Sequence, residues 1–152
     1  MHRYEKFLEP FLDVKLEKVG VIRAPVDWIF SWYKYLSRDA PANPNRPKHH
    51  RYAGNLSFAE FAEEYLDGNE FRIGSPSRFY TSKNGEIHID HLYKYDEMCK
   101  LISFFETRLC KSIELRTKNI SPQKKFELPA NLHSQLKLKF SATYHIYETK
   151  TK

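Results

Sequence analysis

Glycine is scarce in this chain. There are five in 152 residues, at positions 20, 54, 68, 74 and 85, each standing alone. None precedes a Lys-Ser or Lys-Thr pair in Walker spacing, so no phosphate-cradling P-loop is written here. Cysteine is scarcer still. Cys99 and Cys110 fall in one predicted helix, about 16 Å apart along its axis, which is too far to bridge. A disulfide scaffold is therefore excluded. The expectation is two reduced thiols in or near the core, as in a cytosolic protein. No apolar stretch approaches the ~18–20 residues that a membrane span needs. The opening Met-His-Arg-Tyr-Glu-Lys lacks the apolar core of a signal peptide. A cytoplasmic location with no membrane contact is expected.

Aromatic residues, by contrast, are plentiful: eleven Phe, ten Tyr and two Trp. A disordered chain lacks such residues, and 152 residues suffice for a single core. The reading is one domain over residues 1–148 and a frayed basic tail over 149–152. The net charge of +6 is unevenly spread. Residues 1–115 carry 17 Lys or Arg and 17 Asp or Glu, whereas residues 116–152 carry eight against two. A basic end of this kind meets phosphate, nucleic acid or an acidic partner, or simply solvates a helix face.

Periodicity outlines a helix-rich chain with little sheet and no internal repeat. Tyr4, Phe7, Leu8, Phe11 and Leu12 have helical spacing, with Pro10 set to kink it. Lys18 to Arg23 reads as a buried strand and Pro25 to about Ser37 as a helix apolar nearly all round. One side of that helix is expected to lie bare, a route to self-association. Residues 39–55 read as a long polar loop, either lid-like or disordered. Ser57 and Glu60 form a capping box for a helix through Leu66, with Gly68 as its stop. Asn84-Gly85 favours a type I′ turn between Phe79–Ser82 and Glu86–Ile89, a β-hairpin. His91 to Tyr95 reads as a short strand. Asp96 then caps a helix with Met98, Leu101, Ile102, Phe105 and Leu109 on one face. Pro129 opens a last helix through Leu132, Leu136, Phe140, Tyr144 and Tyr147.

One juncture carries chemistry. The strand ends in Arg23, Pro25 suits the first turn of the following helix, and Ser31 lies two turns further on. A helix N-terminus attracts anions through free N–H groups and its dipole. An arginine fork binds two phosphate oxygens. The alternative is an arginine that pairs with Asp27 or caps a carbonyl. Trp28 and Tyr33 flank this pair and either stack on a base or belong to the core. His88 and His91 invite a metal reading, but on extended chain they point to opposite faces and lack the further ligands zinc needs. No metal is expected. His49-His50, beside Lys48 and Arg51, suits contact with an anion or a mobile loop equally.

Arg23-x-Pro25-x-Asp27-x-x-x-Ser31-x-Tyr33 resembles the 3′-phosphate-binding motif of sulfotransferases that use 3′-phosphoadenosine-5′-phosphosulfate (PAPS). The resemblance continues in order along the chain. Ser57-Phe58-Ala59-Glu60-Phe61 is similar to the family's S/T-F-x-E-F helix. Residues Ile89 to Asp96 are similar to its strand ending R-Y-E, and Asn119-Ile120-Ser121 to its N-x-S. The similarity runs from about His2 to Tyr147 and looks closest to bacterial P-loop-type members. It implies an α/β fold: the C-terminal part of a P-loop-like sulfotransferase domain, helix-rich, with a small residual parallel sheet and a β-hairpin. It implies sulfuryl transfer from PAPS to a hydroxyl or amine of a small-molecule or glycan-type acceptor. It implies cofactor binding by Arg23, Ser31, Asn119 and Ser121, with Lys118 nearby, and leaves the catalytic base unassigned. His2 resembles a histidine that often precedes the motif. Nucleic acid is disfavoured as a partner.

The family's P-K-x-G-T-T loop, which holds the 5′-phosphosulfate, is not found before Arg23, and Trp28 stands where many relatives carry a basic residue. The expectation is a truncated domain with impaired transfer, since removing one donor to a developing charge costs roughly 10²–10³ in rate. A non-enzymatic basic module that binds nucleic acid or an acidic partner is the alternative. A phosphotransferase on a P-loop scaffold is the second alternative.

Overall fold

The computed structural model describes residues 16–38, 45, 53–68, 71, 73–82, 84–116 and 127–151. These form a mixed α/β arrangement with a two-stranded parallel sheet and five α-helices among the described residues. The predicted helix near the N-terminus and most of the polar 39–55 stretch lie outside them.

The strands are β1 (Val19–Ile22) and β2 (His91–Lys94). They pair in register from Val19 with His91 to Ile22 with Lys94, and Leu92 also bridges Thr151. Ile22, Leu92 and Tyr93 are the buried residues of the pair, and the other strand residues are half-buried. Gly20 faces Leu92 in the register, and an added Cβ there would come within 3.2 Å of the Leu92 side chain and 3.4 Å of the Tyr80 ring. A side chain there would require the Leu92 and Tyr80 side chains to give by a few tenths of an ångström. Tyr80 fills the space and donates its hydroxyl to the Val21 carbonyl at 2.6 Å.

Between the strands run α1 (Pro25–Leu36) and α2 (Phe58–Leu66), and after them α3 (Met98–Leu109), α4 (Ala130–Lys139) and α5 (Ser141–Thr149). Both signals of α2 appear as expected. Ser57 accepts from the Glu60 N–H and Glu60 accepts from the Ser57 N–H, and Gly68 follows with φ +107°. Lys139 adds a cation at the far end. Its ammonium donates to the Tyr65 carbonyl at 2.7 Å, at the negative pole of the helix dipole.

The interior divides in two. A helical core gathers α1, α2 and α4 around Ile29, Leu36, Phe61, Tyr65, Leu136 and Phe140. A smaller sheet core joins Ile22 and Leu92 to Ile146 of α5. On the opposite sheet face, His91 and Tyr93 meet Phe104 of α3, with ring centroids 4.7 and 5.7 Å apart.

Five expectations are corrected. Residues Pro76–Phe79 form a 3₁₀ turn, and the hairpin shrinks to one antiparallel bridge between Thr81 and Ile87. The turn bond runs from the Gly85 N–H to the Ser82 carbonyl, one residue earlier than a type I′ turn centred on Asn84-Gly85 requires. Asp96 does not cap the helix: Tyr95–Glu97 is a 3₁₀ turn, and Glu97 stands at the N-cap without a side-chain capping bond, its carboxylate pairing with Lys100 at 2.8 Å. The last predicted helix is two, because Phe140 leaves helical geometry at φ −98°, ψ 19° and turns α5 back onto the sheet. Cys99 and Cys110 are both free and both exposed rather than core thiols.

Candidate functional site

The carboxyl ends of parallel strands are where α/β sheets place their ligands. At that end of this sheet stands Arg23, one residue past β1 and just before Ala24, the N-cap of α1. Ala24 supplies no side-chain cap, and Pro25 opens the helix. The first-turn N–H groups therefore point outward with no capping oxygen from their own helix. Continuing the strand register sets Arg23 beside Tyr95. Its guanidinium carbon lies 3.8 Å from the Tyr95 ring centroid, a cation–π contact that fixes the plane of the fork. Tyr95 itself is 51 % exposed. Among the described residues Arg23 makes no ion pair, so the pairing with Asp27 is not formed.

Asp27 acts elsewhere. Burial pushes the Tyr144 and Tyr147 phenols of α5 upward in pKa, and the Asp27 charge pushes both further. Tyr147 donates to the Asp96 carboxylate at 3.3 Å. Lys94, the last residue of β2, lays its ammonium 5.0 Å from the Tyr147 ring centroid. The edge thus carries one cation on each face of the sheet: Arg23 on Tyr95, and Lys94 on Tyr147. Lys94, Tyr95 and Tyr147 were not among the predicted site residues. Parallel alignment of β1 with β2 brings Arg23 and Tyr95 to one edge, whereas Tyr147 reaches that edge from α5.

Ser31 lies two turns down α1, where it lines an open cavity of about 380 Å³ together with Trp28, Trp32 and Tyr35. Arg23 does not line that cavity. Tyr33 turns the other way, into the core. Its ring packs on Phe30, Phe58 and Phe61, and its hydroxyl donates to the Leu56 carbonyl at 2.8 Å. Trp28 divides its surface between the cavity and an edge-on contact with Phe140. Lys118, Asn119, Ser121, His2, His49 and His50 lie outside the described residues.

No family model, no curated protein and no solved structure matches this chain. Among the described residues no group of three or more His, Cys, Asp or Glu side chains is placed to hold a metal ion. No helix among them is long and apolar enough to cross a membrane.

The opposite end of the sheet is tied by a clamp. Glu17 receives Arg108 through both carboxylate oxygens, at 2.8 and 3.2 Å, and meets the His91 ring at 2.9 Å. Arg108 also covers Phe104. Partial burial works to raise the Glu17 pKa, but hydrogen bonds and charge from Arg108 and His91 outweigh it and hold the group below its ordinary 4.5. A carboxyl lowered on folding stabilises the fold above its unfolded pKa, and that contribution disappears as pH falls through the folded value. Urea midpoints of the wild type and Glu17→Gln should therefore differ at pH 6 and converge toward pH 3. A difference that is constant with pH would show that the clamp carries no proton-linked stability.

Proposed function

We propose that this chain is a sulfotransferase-like nucleotide-binding protein whose Arg23 receives the 3′-phosphate of a PAPS-type cofactor. The observation that carries the reading is the place of Arg23. Its guanidinium is laid on Tyr95, pairs with no carboxylate among the described residues, and sits between the end of a parallel strand and an N-terminus without a side-chain cap. A phosphate there takes the fork and the first-turn N–H groups together. The donor chemistry suits an oxyanion: a guanidinium, backbone N–H groups and, by resemblance, the Ser31 hydroxyl, with Asn119 and Ser121 completing the set. When bound, PAPS supplies the sulfuryl group, and the residues in hand address its 3′ side. The P-loop-like fold, the hydroxyl or amine acceptor and a cytoplasmic setting belong to the same proposal.

Isothermal titration with 3′,5′-diphosphoadenosine tests it. Arg23→Ala is expected to weaken binding by about 10- to 100-fold, the loss of a charge-assisted hydrogen-bond pair. Arg23→Lys should recover only part, because an ammonium cannot make the forked contact. Titrations of wild type and Arg23→Ala that coincide, or wild type that yields no heat, would remove the reading.

A further inference from the structure

We infer that Tyr95 seats the base of the ligand, with Arg23 on one face of its ring and a flat, neutral heteroaromatic group on the other, an inference that rests on the nucleotide reading above. Tyr95 stands one residue past β2, beside Arg23, at the carboxyl end of the sheet, where parallel sheets place their ligands. It is 51 % exposed. The Arg23 guanidinium carbon, 3.8 Å from the centroid, covers one face. Among the described residues no other ring and no hydrogen bond engages its side chain. A ring stacked on one face keeps the other for solvent or for a ligand.

The guanidinium decides what suits that second face. It draws the π-electrons of the ring toward itself, so a second cation gains little there and meets like charge. A neutral, electron-rich flat ring is instead accepted in offset stacking. Nucleobases are such rings, and aromatic side chains hold them by their faces. A phosphate on the Arg23 fork and a base on the far face lie on either side of one ring, a gap that a ribose spans. The aromatic residues nearest to Arg23 in sequence are placed elsewhere: Tyr33 is packed in the helical core, and the Trp28 ring meets Phe140 edge-on. Asp96, next to Tyr95, turns its carboxylate to Tyr147, which Lys94 covers on the other face of the sheet.

Isothermal titration of the full chain compares 3′,5′-diphosphoadenosine with its abasic tetrahydrofuran analogue, which keeps both phosphates and lacks the base. Wild type should bind the nucleotide about tenfold more tightly, within the range of one base–aromatic stack. Tyr95→Leu should bind the two ligands equally, and Tyr95→Trp should keep the preference. The adenine H2 and H8 proton resonances should move upfield on binding to wild type, through the ring current of Tyr95, and should not on binding to Tyr95→Leu. Arg23→Ala should weaken both ligands. If wild type binds both with equal affinity, the base has no seat on Tyr95, and the inference falls while the nucleotide reading stands. If Tyr95→Leu weakens both by one factor and keeps the preference, Tyr95 only positions Arg23, and the inference falls likewise. If neither ligand binds wild type, the nucleotide reading and the inference fall together.

Discussion

Phe61→Ala is expected to lower the unfolding free energy by about 3–5 kcal/mol, the range for emptying a fully enclosed aromatic site. Phe61 is wholly buried. It stacks on Phe71 at 4.4 Å and 25° and touches Tyr33 at 5.4 Å. Two effects push the cost toward the top of that range. The first is geometric: Phe61 stands where α2 meets α1, so the void opens between helices rather than at a surface that can close. The second is the backbone of Phe71, whose φ of +44° is left-handed geometry that a side chain adopts only when its surroundings hold it there. Removing the ring that Phe71 stacks on removes part of that hold. Small domains have only about 5–15 kcal/mol in all, so the variant should lose cooperative urea unfolding at 37 °C or show a midpoint far below wild type. Far-UV circular dichroism measures it. A loss under about 1 kcal/mol would mean that the helical core is not organised around this ring.

The legible parts of the molecule were those where a local signal has a local cause. The capping box and Gly68 bracket α2 within a residue, because the bonds that set its ends form between neighbours in sequence. Pro25 opens α1 for the same reason. Of the two short strands, β1 reads as an apolar run and β2 as a continuation of the extended segment before it, and their parallel pairing followed from the family resemblance rather than from periodicity. Where tertiary contacts decide, the reading missed. Phe140 continues the helical pattern of Leu132 and Leu136, yet the chain breaks there so that Ile146 can reach Ile22 and Leu92. Asp96 has the composition of a cap, but Tyr147 claims its carboxylate. Cys110 looks apolar in sequence, but it occupies the left-handed C-cap of α3 at the surface.

The candidate site divides the same way. The position of Arg23 at the strand end, just before Pro25, is legible because strand and proline are neighbours in sequence, whereas Ser31 lines a cavity that Arg23 does not. Tyr95 beneath Arg23, and Tyr147 beneath Lys94, were not visible as partners. Each contact depends on a register set between segments far apart in the chain. Nothing in the spacing of Trp28, Ser31, Trp32 and Tyr35 distinguishes a cavity wall from a core stripe. Only the packed surroundings of Tyr33 and the open side at Ser31 separate the two.

Ile22→Ala tests whether the sheet core positions Arg23. Ile22 is fully buried, packs with Leu92 and Ile146, and is the last paired residue of β1, opposite Lys94. The substitution should cost about 2–5 kcal/mol, as for other buried aliphatic truncations. Its second effect distinguishes it from Phe61→Ala. Arg23 is the next residue, so a cavity at position 22 loosens the strand end that sets the guanidinium over Tyr95. Once fully folded protein is assured by circular dichroism at low temperature, Ile22→Ala should bind 3′,5′-diphosphoadenosine about tenfold more weakly, a loss of 1.4 kcal/mol. Phe61→Ala, whose cavity lies in the other core, should bind as tightly as wild type under the same conditions. Both proteins should gain midpoint on adding the nucleotide, the Phe61 variant by as much as wild type and the Ile22 variant by less, since stabilisation follows the ratio of ligand to dissociation constant. Equal affinities in the two variants would show that the sheet core holds the fold without setting the geometry of the site.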